Sequence, residues 1–238
     1  MKLKTWLILA SALLALPTAA ADWSSTAACL LYGSGYQMTA SEDQTILTLE
    51  HASGWTYGDN FFFFDIGQPF DMDTTVYGEW HPRLSLGKMT RRNMGFGFVK
   101  DVLIATELNV GEGWRAYLYG VGFDLTIPHF QFFALNLFIR DEIPFDASPT
   151  FQISPSWNLP FTLGSARFEF RGFLDYAGSH GDGVAHLLMQ PQLLLDLGHF
   201  SSRSDKLYAG IEYQYWNNKY GVDGVKDNLV QIMGKWVF

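Results

Sequence analysis

Alternation with a period of two, repeated in segments of about ten residues along the whole chain, most limits what this sequence can become. The stretch RFEFRGFLDY sets Arg167, Glu169, Arg171, Phe173 and Asp175 on one face of an extended strand, and Phe168, Phe170, Gly172, Leu174 and Tyr176 on the other. KLYAGIEYQYW sets Leu207, Ala209, Ile211, Tyr213 and Tyr215 against Tyr208, Gly210, Glu212, Gln214 and Trp216. FQISPSWNLPF and VYGEWHPRLSL follow the same rule, as does HLLMQPQLLLDL with Leu188 and Leu194 as exceptions. About twelve such segments occur, centred near residues 33, 48, 61, 80, 104, 119, 135, 155, 170, 191, 211 and 233. Turn clusters such as TASED, GQPFDMD, GEG, AGSHGDG, SSRSD and NNKYGVDG separate them.

The chain opens with MKLKTWLILASALLALPTAAADWSS. Lys2 and Lys4, a short apolar run from Trp6 to Leu16 and the small residues Ala19-Ala20-Ala21 make a secretory signal peptide over residues 1–21, cleaved after Ala21. Residues 22–238 then form one domain. Losing Lys2 and Lys4 leaves 14 basic residues against 24 acidic ones, a net charge of −10 with His neutral. That charge disfavours nucleic acid phosphates and anionic lipid surfaces as partners. Cys29 is the single cysteine, so no intrachain disulfide can form. No Cys/His cluster has metal-ligand spacing, and no CxxC, HExxH or helix-opening GxGxxG points to a metal or cofactor.

Beyond residue 21 no apolar run approaches the about 20 residues that a membrane helix needs, yet 39 of the 238 residues are Phe, Tyr or Trp. An exported, aromatic-rich chain of about twelve alternating strands fits either a soluble sandwich or a transmembrane barrel. Rings near strand ends (Trp55, Tyr57, Trp114, Trp157, Tyr176, Trp216 and Trp236) favour the barrel, whose interfaces carry aromatic girdles. The last strand, NLVQIMGKWVF, alternates Val230, Ile232, Gly234, Trp236 and Phe238. Outer-membrane barrels commonly close on such a strand, and it resembles the signal read by the barrel-insertion machinery. The expected fold is therefore an all-β, antiparallel, transmembrane β-barrel of about twelve strands, in contact with outer-membrane lipid and closed by the strand ending in Phe238.

The stretch DNFFFFDI puts four phenylalanines between two aspartates. In a barrel strand Phe61 and Phe63 share a face with Asp59 and Asp65, while Phe62 and Phe64 share the other with Asn60 and Ile66. A carboxylate facing lipid is costly, so the aspartate face is assigned to the lumen. Two rings then project into a polar channel between acids. They can serve as a stacking platform for a flat, hydroxyl-bearing solute such as a nucleoside, since base–aromatic stacking is worth about 1–3 kcal/mol and carboxylates accept hydrogen bonds from ribose hydroxyls. They can equally be packing that fills a narrow lumen.

HPRLSLGKMT, His81 to Thr90, and FVKDV, Phe98 to Val102, resemble two successive strands of the nucleoside-specific channel-forming proteins, the Tsx family with its OmpK-like porins. The resemblance implies a monomeric twelve-stranded barrel in the outer membrane of a Gram-negative-type envelope and passive uptake of nucleosides. It also implies phage as a further partner, since some members double as phage receptors. Pore-lining residues expected from the alternation are Asp59, Phe61, Phe63, Asp65, Glu79, His81, Arg83, Arg167, Glu169, Arg171, Asp175 and Glu212. Their charges either set a field across the lumen or pair across strands, Arg167 with Glu169 among them. Two alternatives stay in view: an outer-membrane lipid hydrolase and a closed structural or receptor barrel. The hydrolase is disfavoured because His81 and Ser85, four residues apart on one strand, stand about 13 Å apart, far beyond the about 3 Å a base and nucleophile require.

Overall fold

The computed structural model describes residues 21–71, 73–143 and 147–238. The signal-peptide reading falls almost wholly on residues 1–20, outside that range. Thirteen strands follow in order: β1 (Trp23–Ser34), β2 (Asp43–Trp55), β3 (Gly58–Gly67), β4 (Thr75–Ser85), β5 (Val99–Gly111), β6 (Trp114–Leu125), β7 (Phe132–Ile143), β8 (Thr150–Leu163), β9 (Ala166–Ala177), β10 (His186–Met189), β11 (Gln192–Asp196), β12 (Leu207–Asn217) and β13 (Lys226–Val237). Apart from β10 and β11, each pairs antiparallel with the next, and β1 pairs with β13 from Ala27↔Val237 to Tyr32↔Ile232, closing the sheet. Both β10 and β11 pair with β9 and with β12, so they are two halves of one stave. The break lies at Gln190-Pro191, where proline offers no N–H to the ladder. Opposite it sits Gly172 at φ +154, where a Cβ would stand 2.5 Å from the Gln190 carbonyl oxygen. The molecule is thus a closed twelve-stave antiparallel barrel, and closure leaves no unpaired edge in the membrane.

The expected strand centres coincide with the observed staves except at the start. β1 begins at Trp23, well before the centre expected near residue 33. Its first half, WSSTAA, is too small and polar to show alternation, and pairing with β2 from Trp23↔Gly54 onward makes it a strand. Interior positions are set by register. Ala27, Cys29, Leu31 and Gly33 face Glu50, Thr48, Ile46 and Gln44, and the inward parity passes on round the ring, with a register shift between Val99 and Asp101 at the start of β5. The opposite parity carries the membrane face: Leu30, Tyr32, Trp80, Ile104, Leu137, Ile211, Ile232 and Trp236 are all exposed. Two rings expected in the girdles turn inward instead. Trp114 shares the parity of buried Ala116, and Trp216 that of buried Gln214. Each is held by a polar partner inside the barrel, which a lipid-facing position could not offer.

The interior is filled unevenly. Along β1, β11, β12 and β13, Cys29, Leu31, Leu194, Tyr208 and Met233 pack into an apolar cluster, which is why Leu194 departs from the alternation of its stave. Across the barrel, Ala105, Ala116, Leu118 and Phe138 form a second one. Ionisable groups lie between them. At the end opposite the termini, Lys219 donates to Asp227 Oδ2 and the Gln37 carbonyl, both at 2.7 Å, and lies under the rings of Tyr36, Trp216 and Tyr220. The Tyr36 hydroxyl donates to Gln231 Oε1. Burial, with the Glu212 and Asp227 carboxylates nearby, holds that phenol well above its usual range.

Candidate functional site

Strands β3 and β4 build the core of the site. Their register places Phe61 opposite His81, Phe63 opposite Glu79, Asp59 opposite Arg83 and Asp65 opposite Tyr77, all on the inward face. Phe62 stacks instead on His51 of the outer face, and Phe64 is exposed there. The two inward rings lie 6.0 Å apart, with Phe61 edge-on to His81 at 5.7 Å and Phe63 6.1 Å from Tyr77. Both are half-buried.

Charges frame the rings. Arg83 donates to both oxygens of Asp59 (2.8 and 2.9 Å) and approaches Asp124 at 3.0 Å, a fork gripping carboxylates of two other strands. His81 lies between Glu79 (2.7 Å) and Glu107 (3.2 Å). Tyr77 donates to Glu79 at 2.5 Å. Asp65 accepts from Thr48 at 2.6 Å. Arg140 donates to Glu142 and to Gln152, both at 2.6 Å, and Gln152 reaches Asp175 at 3.3 Å. Trp114 joins this group, stacked on Tyr77 at 6.3 Å, beneath the Arg140 guanidinium at 5.5 Å and donating to Glu142 at 3.1 Å.

A bridge bounds the site on its other side. Glu50 on β2 accepts from Lys235 on β13 at 2.5 Å and from Arg171 on β9 at 3.4 Å. β9 and β2 have four staves between them one way round the ring and six the other, so this contact crosses the lumen. The cluster of Cys29, Leu31, Leu194, Tyr208 and Met233 lies on the four-stave side, and Phe61 and Phe63 lie on the six-stave side with the second cluster of Ala105, Ala116, Leu118 and Phe138. Glu212 belongs to the four-stave side, where Gln192 and Gln231 donate to it at 2.6 and 2.7 Å.

Of the pore-lining residues expected from the sequence, Asp59, Phe61, Phe63, Asp65, Glu79, His81 and Arg83 therefore form one surface, with Asp175 joined through Gln152. Arg171 is the bridge, and Glu212 stands beyond it. Arg167 and Glu169 lie apart, in a cavity of about 150 Å³ near the end that carries the termini. The two do not pair with each other: Arg167 reaches Asp205 (3.1 Å) and Asp196 (3.8 Å), while Glu169 accepts from Tyr208 at 3.2 Å. Residues two apart on one strand project side by side, and the cross-strand carboxylates offer Arg167 better geometry.

The alternation did not single out Glu50, Glu107, Arg140, Trp114 or Lys235. For the four ionisable ones a usable signal was present. One ionisable residue amid apolar neighbours, as in TILTLEHA or DVLIATELN, must take the inward parity of a barrel strand. Glu79, His81 and Glu107 bring one ligand atom each within 4.8 Å of one another, a grouping that could hold a cation although no sequence spacing announces it. Both imidazole nitrogens are engaged by the carboxylates. His81 and Ser85 do not meet as base and nucleophile, because Ser85 donates to Asp101 and caps the helix that follows β4.

In fold, the KdgM porin in complex with disordered oligogalacturonate superposes on this barrel with a TM-score of 0.53, covering 91% of this chain and 99% of that chain at 8% identity. The KdgM porin on its own gives the same TM-score over 89% of this chain and 99% of that one, again at 8% identity. In sequence, outer membrane protein OmpK of Vibrio parahaemolyticus serotype O3:K6 (strain RIMD 2210633) is 22% identical over 170 residues, 65% of this chain. The match spans 58% of OmpK, less than two thirds of its length. The profile of the nucleoside-specific channel-forming protein Tsx matches residues 20–234, nearly the whole barrel. This chain therefore belongs to the Tsx family of outer-membrane channels, which are not enzymes.

Proposed function

We propose that this barrel passes small polar solutes passively across the outer membrane, that nucleosides are the class it selects, and that residues 1–21 are the signal peptide that directs its export. The observation that carries the reading is the half-buried pair Phe61 and Phe63, on the side of the Arg171–Glu50 bridge away from the apolar cluster of β1, β11, β12 and β13. A base stacks on the rings, and the neighbouring carboxylates accept hydrogen bonds from ribose hydroxyls. Asp59, Asp65, Glu79, Glu107, Asp124 and Asp175 outnumber Arg83 and Arg140 around this space, so a phosphate entering it meets a net negative field. Adenosine is thus expected to bind the refolded protein, and AMP at least about tenfold more weakly, the worth of one like-charge encounter of about 1.4 kcal/mol. Isothermal titration with the two ligands checks this. Equal affinity for both removes the carboxylates from the selection.

A closed structural barrel is the second reading. The observation favouring it is the bridge itself, which spans the lumen.

A further inference from the structure

Between β4 and β5 the chain leaves the barrel wall at the end that carries both termini, forming a short helix α1 (Leu86–Thr90) and an extended return. The segment LGKMTRRNMGFGFVK carries Lys88, Arg91, Arg92 and Lys100 and no carboxylate, in a domain whose net charge is −10. All four cations are exposed. None has an ion-pair partner among the described residues, although the interior cations Arg83, Arg140, Arg171, Lys219 and Lys235 are all paired. The same segment exposes Met89 (48%), Phe96 (63%) and Phe98 (67%). Beside it, on the outer wall, Trp55, Tyr57, Leu84 and Met89 line an apolar pocket of about 220 Å³.

We propose that this corner is a binding site for an anionic phospholipid, with an acyl chain in the Trp55–Tyr57–Leu84–Met89 pocket and the phosphate among Lys88, Arg91 and Arg92. Three features agree on that occupant. The pocket opens on the lipid-facing parity of β2 and β4, where hydrocarbon is the solvent. Trp55 and Tyr57 are the ring types that settle at the headgroup level. The cations have no ion-pair partner among the described residues and follow the pocket directly in sequence, because Met89 is flanked by Lys88 and, two residues on, by Arg91. A cationic cluster beside an apolar slot recognises a lipid that presents a negative headgroup on hydrocarbon, and each cation is worth about a fivefold gain in affinity near such a surface. The whole-chain charge, which disfavours anionic lipid, is thus reversed locally.

The test is native mass spectrometry of the protein refolded into mixed phosphatidylglycerol and phosphatidylcholine bilayers and then extracted into detergent. Wild-type protein is expected to retain phosphatidylglycerol in preference to phosphatidylcholine. The triple variant Lys88→Gln/Arg91→Gln/Arg92→Gln should lose at least about tenfold of that preference. Met89→Glu, which places a charge in the pocket, should lower retention of both lipids. If the triple variant fails to refold, Arg92→Gln alone should show a smaller loss of the same sign. Equal retention of the two lipids by wild type, or a preference unchanged in the cation variants, overturns the proposal. So does displacement of the lipid by inorganic phosphate at equal concentration, which would make the site one for a free anion.

Discussion

Glu50→Gln is expected to destabilise the barrel by about 3–5 kcal/mol, read as a fall in the urea midpoint of the refolded protein. Glutamine keeps the shape of glutamate, so interior packing is preserved and only the charge is removed. Lys235 at 2.5 Å and Arg171 at 3.4 Å then face each other across a neutral amide. Lys235 is 4% exposed at its side chain, Glu50 15% and Arg171 24%, so water screens little of the repulsion. Removing one member of a buried ion pair is costly mainly because the other charge stays behind. The same variant should also raise conductance, because Arg171 loses the partner that holds it across the lumen. A loss below about 1 kcal/mol would place the trio in the range of exposed surface pairs. The lumen would then be wide and wet, and the bridge would not divide it.

The double replacement Phe61→Ala/Phe63→Ala should weaken nucleoside binding by about 1–3 kcal/mol per ring, at least about thirtyfold together, while leaving the barrel folded. The rings touch each other, His81 and Tyr77, but neither belongs to either apolar cluster. Their loss therefore opens space in the lumen rather than a dry cavity in the packed interior. Phe62→Ala/Phe64→Ala is the matched control. Those rings face outward on the same strand, so their removal should change membrane stability and spare binding. If affinity is unchanged in Phe61→Ala/Phe63→Ala, the inward rings are packing and the solute binds elsewhere.

The barrel was legible because its physics is written in single strands. A membrane-crossing strand needs one face for lipid and one for the lumen, so RFEFRGFLDY and KLYAGIEYQYW declare both their conformation and their facing. The β3 and β4 part of the site was legible for the same reason, because aspartates beside Phe61 and Phe63 fix which rings turn inward. Strand alternation carries no information about distance across the lumen. Nothing near Glu50 in sequence announces Arg171, 121 residues away. The cross-strand choice of Arg167 for Asp196 and Asp205 likewise depends on register and on the 197–206 turn. Trp114 and Trp216 misled for a related reason. Position near a strand end suggests a girdle, but parity decides the facing, and both rings find polar company inside: Glu142 and Arg140 for one, Lys219 for the other.

Single-channel conductance of the refolded protein in a planar bilayer, recorded with increasing adenosine, tests the central claim most directly. The proposed function predicts discrete openings whose current falls saturably as adenosine occupies the Phe61–Phe63 surface, with AMP less effective at the same concentration. A bilayer that stays silent, or openings that adenosine leaves untouched, would contradict a nucleoside-selective channel.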